Sequence, residues 1–145
     1  MSNVNLNETA PTKFQDIGGV SLAYRHFGKE GAPPVVCFQH FTGTMNNFDP
    51  IHTNRLAQDR PVILVDYRGV GRSGGKMPDS IPAIAADIIA FVKALGLKEI
   101  DPVSRSAAWS RSRWCLTRPS WCGASSSQAP ARRAAKACRN LRARY

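Results

Sequence analysis

The residues of this chain that could do chemistry gather around glycines. Gly69-Val70-Gly71-Arg72-Ser73-Gly74 is a literal GxGxxG behind an apolar run. A dinucleotide site needs such glycines to open a helix directly, so that the helix N-terminus meets a pyrophosphate. Here Gly75-Lys76-Met77-Pro78 follows, and the next helix is expected to begin near Ser80. The context for nucleotide binding is missing. The same stretch holds Gly71-Arg72-Ser73-Gly74-Gly75, a literal GxSxG. A nucleophile elbow sets its Ser on a sharp turn between strand and helix, and Ser73 lies too far from both, as a loop serine would. Met77 stands where a P-loop after Gly75-Lys76 requires Ser or Thr.

Of the histidines, His26 falls in an expected strand and His52 in an expected short helix, where packing and surface roles are usual. His40 differs, because it lies at the mouth of a central strand in Gln39-His40-Phe41-Thr42-Gly43-Thr44. Loops at strand carboxyl ends are where α/β proteins place chemistry. Cys37, within Val35-Val36-Cys37-Phe38, reads as a small buried residue. Cys115, Cys122 and Cys138 form no CxxC pair and have no His at zinc-ligand spacing. Neither a metal nor a cofactor is expected.

The elements that would position these residues are legible up to Asp101. Phe14 to Phe27 reads as two strands around Gly18-Gly19, the second with the alternation of a half-buried strand. Val35 to Phe38 and Val62 to Val65 are short apolar runs suited to central strands. Asp49-Pro50 is an N-cap followed by Pro at the first helical position, opening a helix to about Gln58. Asp79 or Ser80 caps a second helix, with Ile84, Ile88, Val92 and Leu95 as its buried stripe and Gly96 as its end. Leu97 to Ile100 begins a further strand that Pro102 is expected to interrupt. Strand, helix, strand, helix, strand is the pattern of an α/β sheet protein.

A seam follows Asp101. Before it, ten basic and ten acidic side chains cancel; after it come ten basic residues and no carboxylate, so the whole +10 formal charge belongs to residues 102–145. Those residues show neither a strand nor a helix period, and their composition reads as a low-order tail. Clustered Arg with Trp109, Trp114 and Trp121 could contact nucleic acid, but a charge run without periodicity is more simply a solvated tail. Met1 to Lys13 is a polar N-terminal segment with no apolar h-region. No apolar run approaches the roughly 20 residues of a membrane helix. A soluble cytoplasmic protein without a membrane or nucleic-acid partner is expected.

Residues 14–101 resemble the N-terminal part of the α/β-hydrolase superfamily. The resemblance rests on the Gly18-Gly19-Val20 hairpin, on Pro34-Val35-Val36-Cys37-Phe38-Gln39-His40-Phe41-Thr42-Gly43, and on Val62-Ile63-Leu64-Val65-Asp66-Tyr67-Arg68-Gly69-Val70-Gly71-Arg72-Ser73. The helix ending Ala94-Leu95-Gly96-Leu97 completes it. It implies an incomplete sheet with flanking helices and, in the intact family, hydrolysis of a small-molecule ester, lactone or related carbonyl compound by a Ser-His-acid triad. It also implies that the turn after the upstream strand supplies an oxyanion-hole amide, by position Phe41, with His40 near the site. Gln39-His40 stands where the family usually has His-Gly.

The same resemblance places a nucleophile elbow at the end of the strand begun at Leu97. Asp101-Pro102-Val103-Ser104-Arg105-Ser106-Ala107-Ala108-Trp109 stands there instead. Neither Ser104 nor Ser106 has the glycines that permit such a turn, and no Asp, Glu or His follows. The catalytic Ser, acid and His are all absent. Val103 to Trp109 can be encoded as G GTT TCT CGC TCG GCG GCA TGG, which regrouped by one base reads Gly-Phe-Ser-Leu-Gly-Gly-Met. In the same shifted frame, Trp121 to Ala129 permits Val-Arg-Arg-Leu-Ile-Leu-Ala-Gly, an apolar strand. An out-of-frame translation from about Pro102 onward accounts for the charge, the seam and the missing motif together. Domains of this type need about 200–250 residues. The sheet is therefore expected to have an uncovered face, with Ile63, Val65 and Ile100 short of partners and the fold poorly stable.

Overall fold

The apolar runs pair into one mixed sheet. The computed structural model describes residues 6–40 and 42–104. Its strands are β1 (Lys13–Asp16), β2 (Ser21–Gly28), β3 (Val35–Phe38), β4 (Pro61–Val65) and β5 (Asp101–Ser104). Its helices are α1 (Pro50–Ala57), entered through a short 3-10 turn at Met45–Asn47, and α2 (Ile81–Ala94). The strand order is β1-β2-β4-β3-β5. β1 and β2 are antiparallel, as are β2 and β4, while β3 runs parallel to both β4 and β5.

Both helices start where their caps require. Asp49 accepts the Ile51 amide at 2.9 Å at the head of α1, and Ser80 Oγ accepts the Ala83 amide at 3.4 Å at the head of α2. Each cap satisfies one of the amides that a first helical turn leaves without an intrahelical acceptor. α2 sets Ile84, Ile88, Phe91 and Val92 against Leu22, Val36, Phe38, Ile63, Val65 and Ile100 on one face of the sheet. Leu95, expected in the buried stripe, packs only partly buried at the margin, and Phe91 takes the central place. On the other face, Ala57 of α1 joins Ala23, Phe27, Val35, Cys37, Val62 and Leu64.

This two-sided packing corrects two expectations. β2 is not half-buried: Leu22 belongs to one cluster, and Ala23 and Phe27 to the other. Nor are Ile63, Val65 and Ile100 short of partners, since each is only 1% exposed. α2 and the hairpin residue Leu22 cover the face that the short chain was expected to leave open.

The last strand also differs from expectation. Leu97 N–H donates to Val92 O at 3.2 Å, which spends residues 95–97 on closing α2. The strand therefore starts at Asp101 and runs through Pro102 to Ser104, paired with Val35 to Phe38. Asp101 N–H reaches Pro34 O at 2.9 Å. In the alternating ladder, Pro102 then turns its imide away from β3, where no hydrogen bond is required. Arg60 and Asp101 pair at 2.9 Å and tie the starts of β4 and β5 together. The low-order reading of the tail from Arg105 onward lies outside the described residues.

The polar N-terminal segment is attached to the fold. Asn7 is buried, donating from its side chain to Thr53 Oγ1 at 3.0 Å and from its amide to Asn54 Oδ1 at 2.9 Å on α1. Among the described residues no helix is long and apolar enough to cross a membrane.

Candidate functional site

Because β3, β4 and β5 are parallel, the segments that leave them emerge on one edge of the sheet. Crevices at the carboxyl ends of parallel strands are the usual place for ligands in such sheets. The turn after β3 carries Gln39 and His40, the loop after β4 carries Asp66 to Gly75, and β5 ends at Ser104, the register partner of Phe38.

The turn after β3 is held at its start by Gln39. This residue is 1% exposed, and its carbonyl accepts the Tyr67 hydroxyl at 2.8 Å. Its side-chain Oε1 accepts the His40 amide at 3.3 Å, while Nε2 is buried without a hydrogen-bond partner among the described residues. His40 itself is exposed, with Nδ1 3.5 Å from Thr42 Oγ1. Gly43 N–H closes the turn onto His40 O at 2.9 Å. A Cβ on Gly43 would stand 2.9 Å from Gln39 Cβ and 3.1 Å from the His40 ring, so the turn packs this tightly only with glycine. Phe41, the expected oxyanion donor, lies outside the described residues, as does Ser106.

Asp66 holds the other end. Its carboxylate is buried and accepts the Met45 amide through Oδ1 at 2.6 Å and the Arg72 amide through Oδ2 at 3.2 Å. A Cβ on Gly71 would come within 2.2 Å of Oδ2, and Gly71 has a φ of +58°, so both the space and the backbone demand glycine. Arg68 pairs with Asp87 and fastens the same loop to α2.

The glycine-rich motifs resolve as structural. Ser73 Oγ accepts the Ala23 amide at 2.8 Å and donates to Asp66 O at 2.9 Å, which ties the loop to β2. Six residues separate Gly74 from the start of α2 at Ile81, so the GxGxxG does not open a helix.

Burial decides the ionisation of two neighbours. Desolvation, and secondarily the negative charge of Asp101, push the Cys37 thiol up to about 12. It is therefore protonated and a poor nucleophile at neutral pH. Burial likewise raises the Tyr67 hydroxyl well above the usual phenol range, and it remains a neutral donor to Gln39. Tyr67 also stacks on Phe38 with centroids 6.5 Å apart and planes 12° apart.

The structure separates the histidines. His26 in β2 lies 3.5 Å from Glu30, and exposed His52 in α1 lies 4.0 Å from Asp49; His40 stands on the carboxyl edge. Among the described residues no group of three or more His, Cys, Asp and Glu is placed to hold a metal ion. Sequence reasoning missed the roles of Asp66 and Tyr67. Their signal was the Asp-x-Arg-Gly stretch itself, whose first two residues close the site.

Comparison with known proteins agrees with this geometry. The structure matches an α/β hydrolase fold protein from Chitinophaga pinensis at a TM-score of 0.76 and 38% identity, over 80% of this chain and 42% of that one. It matches the Cif epoxide hydrolase from Acinetobacter nosocomialis at a TM-score of 0.58 and 29% identity, over 68% of this chain and 31% of that one. A proline iminopeptidase of Heyndrickxia coagulans is 27% identical over 113 residues, 74% of this chain and 38% of the relative. The chain thus spans less than half the length of each. No protein-family model matches.

Proposed function

We propose that this chain, which carries part of an α/β-hydrolase fold, derives from a serine-nucleophile hydrolase of small esters, lactones or related carbonyl compounds and is itself inactive as written. The observation that carries the reading is the end of β5. Ser104 pairs with Phe38, immediately before the turn of Gln39 and His40. Codons chosen for Val103 to Trp109 permit, in a frame shifted by one base, Gly-Phe-Ser-Leu-Gly-Gly-Met at that point. The shifted serine would leave β5 beside the turn that the family uses to stabilise an oxyanion, a contribution of a few kcal/mol per donor.

In such an enzyme the serine attacks the substrate carbonyl, His takes its proton, and a carboxylate orients the His. Water then releases the acyl group. Residues 102–145 as written hold no Asp, Glu or His and no glycine-flanked serine. The relatives differ in the bond their names imply, an epoxide in one and an iminopeptidase substrate in another. The carbonyl class is proposed because the family resemblance implies an oxyanion-stabilising turn after β3. Reading the coding DNA tests the account. A shifted frame that continues through a helix and an apolar strand supports it, and an early stop in that frame overturns it.

A further inference from the structure

Successive residues at the end of β4 grip both ends of the turn after β3. Tyr67 Oη donates to the Gln39 carbonyl at 2.8 Å, where the turn begins. Asp66 Oδ1 accepts the Met45 amide at 2.6 Å, where it finishes. Between these points Gly43 N–H closes on His40 O at 2.9 Å. Both gripping side chains are nearly fully buried, at 1% exposure for Asp66 and 2% for Tyr67, so neither contact competes with bulk water. Each gripping residue is itself fixed. Asp66 O accepts Ser73 Oγ at 2.9 Å and Asp66 N–H donates to Ala23 O at 3.0 Å, while Tyr67 stacks on Phe38.

We propose that Asp66 and Tyr67 are positioning residues that act as a two-point clamp, holding Gln39 and Met45, the two ends of the turn after β3, for the reaction. This inference rests on the hydrolase reading given above. A planar trans peptide whose carbonyl is anchored has its amide direction fixed as well. The Tyr67 bond to Gln39 O therefore also aims the His40 N–H. Asp66 anchors the far end by accepting the Met45 amide at Oδ1, 2.6 Å away.

Amide hydrogen exchange on the full chain tests the clamp, using Tyr67→Phe, Asp66→Ala and Asp66→Asn. Loss of one anchor should speed exchange at Gly43 and Met45 by about 5- to 10-fold. The β2–β4 ladder amides should be unchanged. Asp66→Asn, which keeps one acceptor oxygen, should restore part of the protection at Met45. Unchanged exchange at Gly43 and Met45 overturns the clamp, and so does an equal rise throughout the ladder. Should Asp66→Ala fail to fold, Tyr67→Phe carries the test, since it keeps the ring stack and removes only the hydroxyl. In the chain translated in the shifted frame, Tyr67→Phe should lower kcat with KM within about 2-fold; an unchanged kcat overturns the positioning role. Local exchange effects together with no turnover by the shifted-frame chain would instead sink the hydrolase reading and leave the clamp standing.

Discussion

The Asp66 carboxylate and the Gly71 α-carbon share one small space. A Cβ on Gly71 would lie 2.2 Å from Oδ2, closer than any side chain tolerates. The loop after β4 therefore folds back over Asp66 because residue 71 has no side chain, and Arg72 can then offer its amide to the same oxygen. Gly71, part of a stretch that resembles a nucleotide-binding signature on paper, makes room for the buried Asp66 side chain.

Gly71→Ala should destabilise the fold by at least about 2 kcal/mol, from a left-handed backbone that costs roughly 1–2 kcal/mol plus the displacement of Asp66. Urea unfolding measures it. A loss within experimental error of zero contradicts the packing described.

Gly43→Ala should cost about 1–3 kcal/mol by overpacking against Gln39 Cβ. The contact with His40 is relieved more cheaply because that ring is exposed. His40→Ala alone should therefore leave the urea midpoint nearly unchanged, and a large loss would show that the His40 ring packs more firmly than its exposure indicates.

Ile88→Ala should destabilise by about 2–5 kcal/mol, as expected for a large aliphatic with no exposed surface. A cooperative thermal transition in the parent chain, lowered in the variant, checks it. A parent chain that melts without cooperativity would show that the two clusters do not hold the sheet.

Stability should fall as pH rises from about 9 toward 12. Cys37 is held protonated in the folded chain, up from 9.0 to about 12, whereas the unfolded thiol ionises near its ordinary value. The folded state thus binds more protons in that window, and unfolding becomes easier with increasing pH. This contribution is intact below pH 9 and disappears as pH climbs through the folded value. Cys37→Ala should flatten this part of the urea-midpoint profile, and an identical slope in the variant contradicts the assignment.

Much of the fold was legible in the sequence because its signals are local. Asp49-Pro50 and Ser80 mark the helix starts, and Val35 to Phe38 and Val62 to Val65 are wholly apolar, as strands covered on both faces must be. β2 was harder to read, because Ser21, Ala23 and Arg25 alternate as a solvated face would. Ala23 is nevertheless buried, since α1 and its neighbours cover that side. The start of β5 was misplaced because the residues after α2 close the helix end, and the edge-compatible Pro102 resembled a breaker. The clamp was beyond reach: Gln39 and Tyr67 meet across 28 residues, and no spacing rule links a phenol to a distant carbonyl. His40 follows the end of β3, whereas its neighbours' hydrogen bonds required the sheet.

On the proposed reading, the chain departs from a serine hydrolase just ahead of its nucleophile. The most direct test compares p-nitrophenyl butyrate hydrolysis by the chain as written and by the chain translated in the shifted frame after Asp101. Turnover is expected only from the shifted-frame chain, abolished when the elbow serine becomes alanine. Turnover by the chain as written, or none from a folded shifted-frame chain, contradicts that reading.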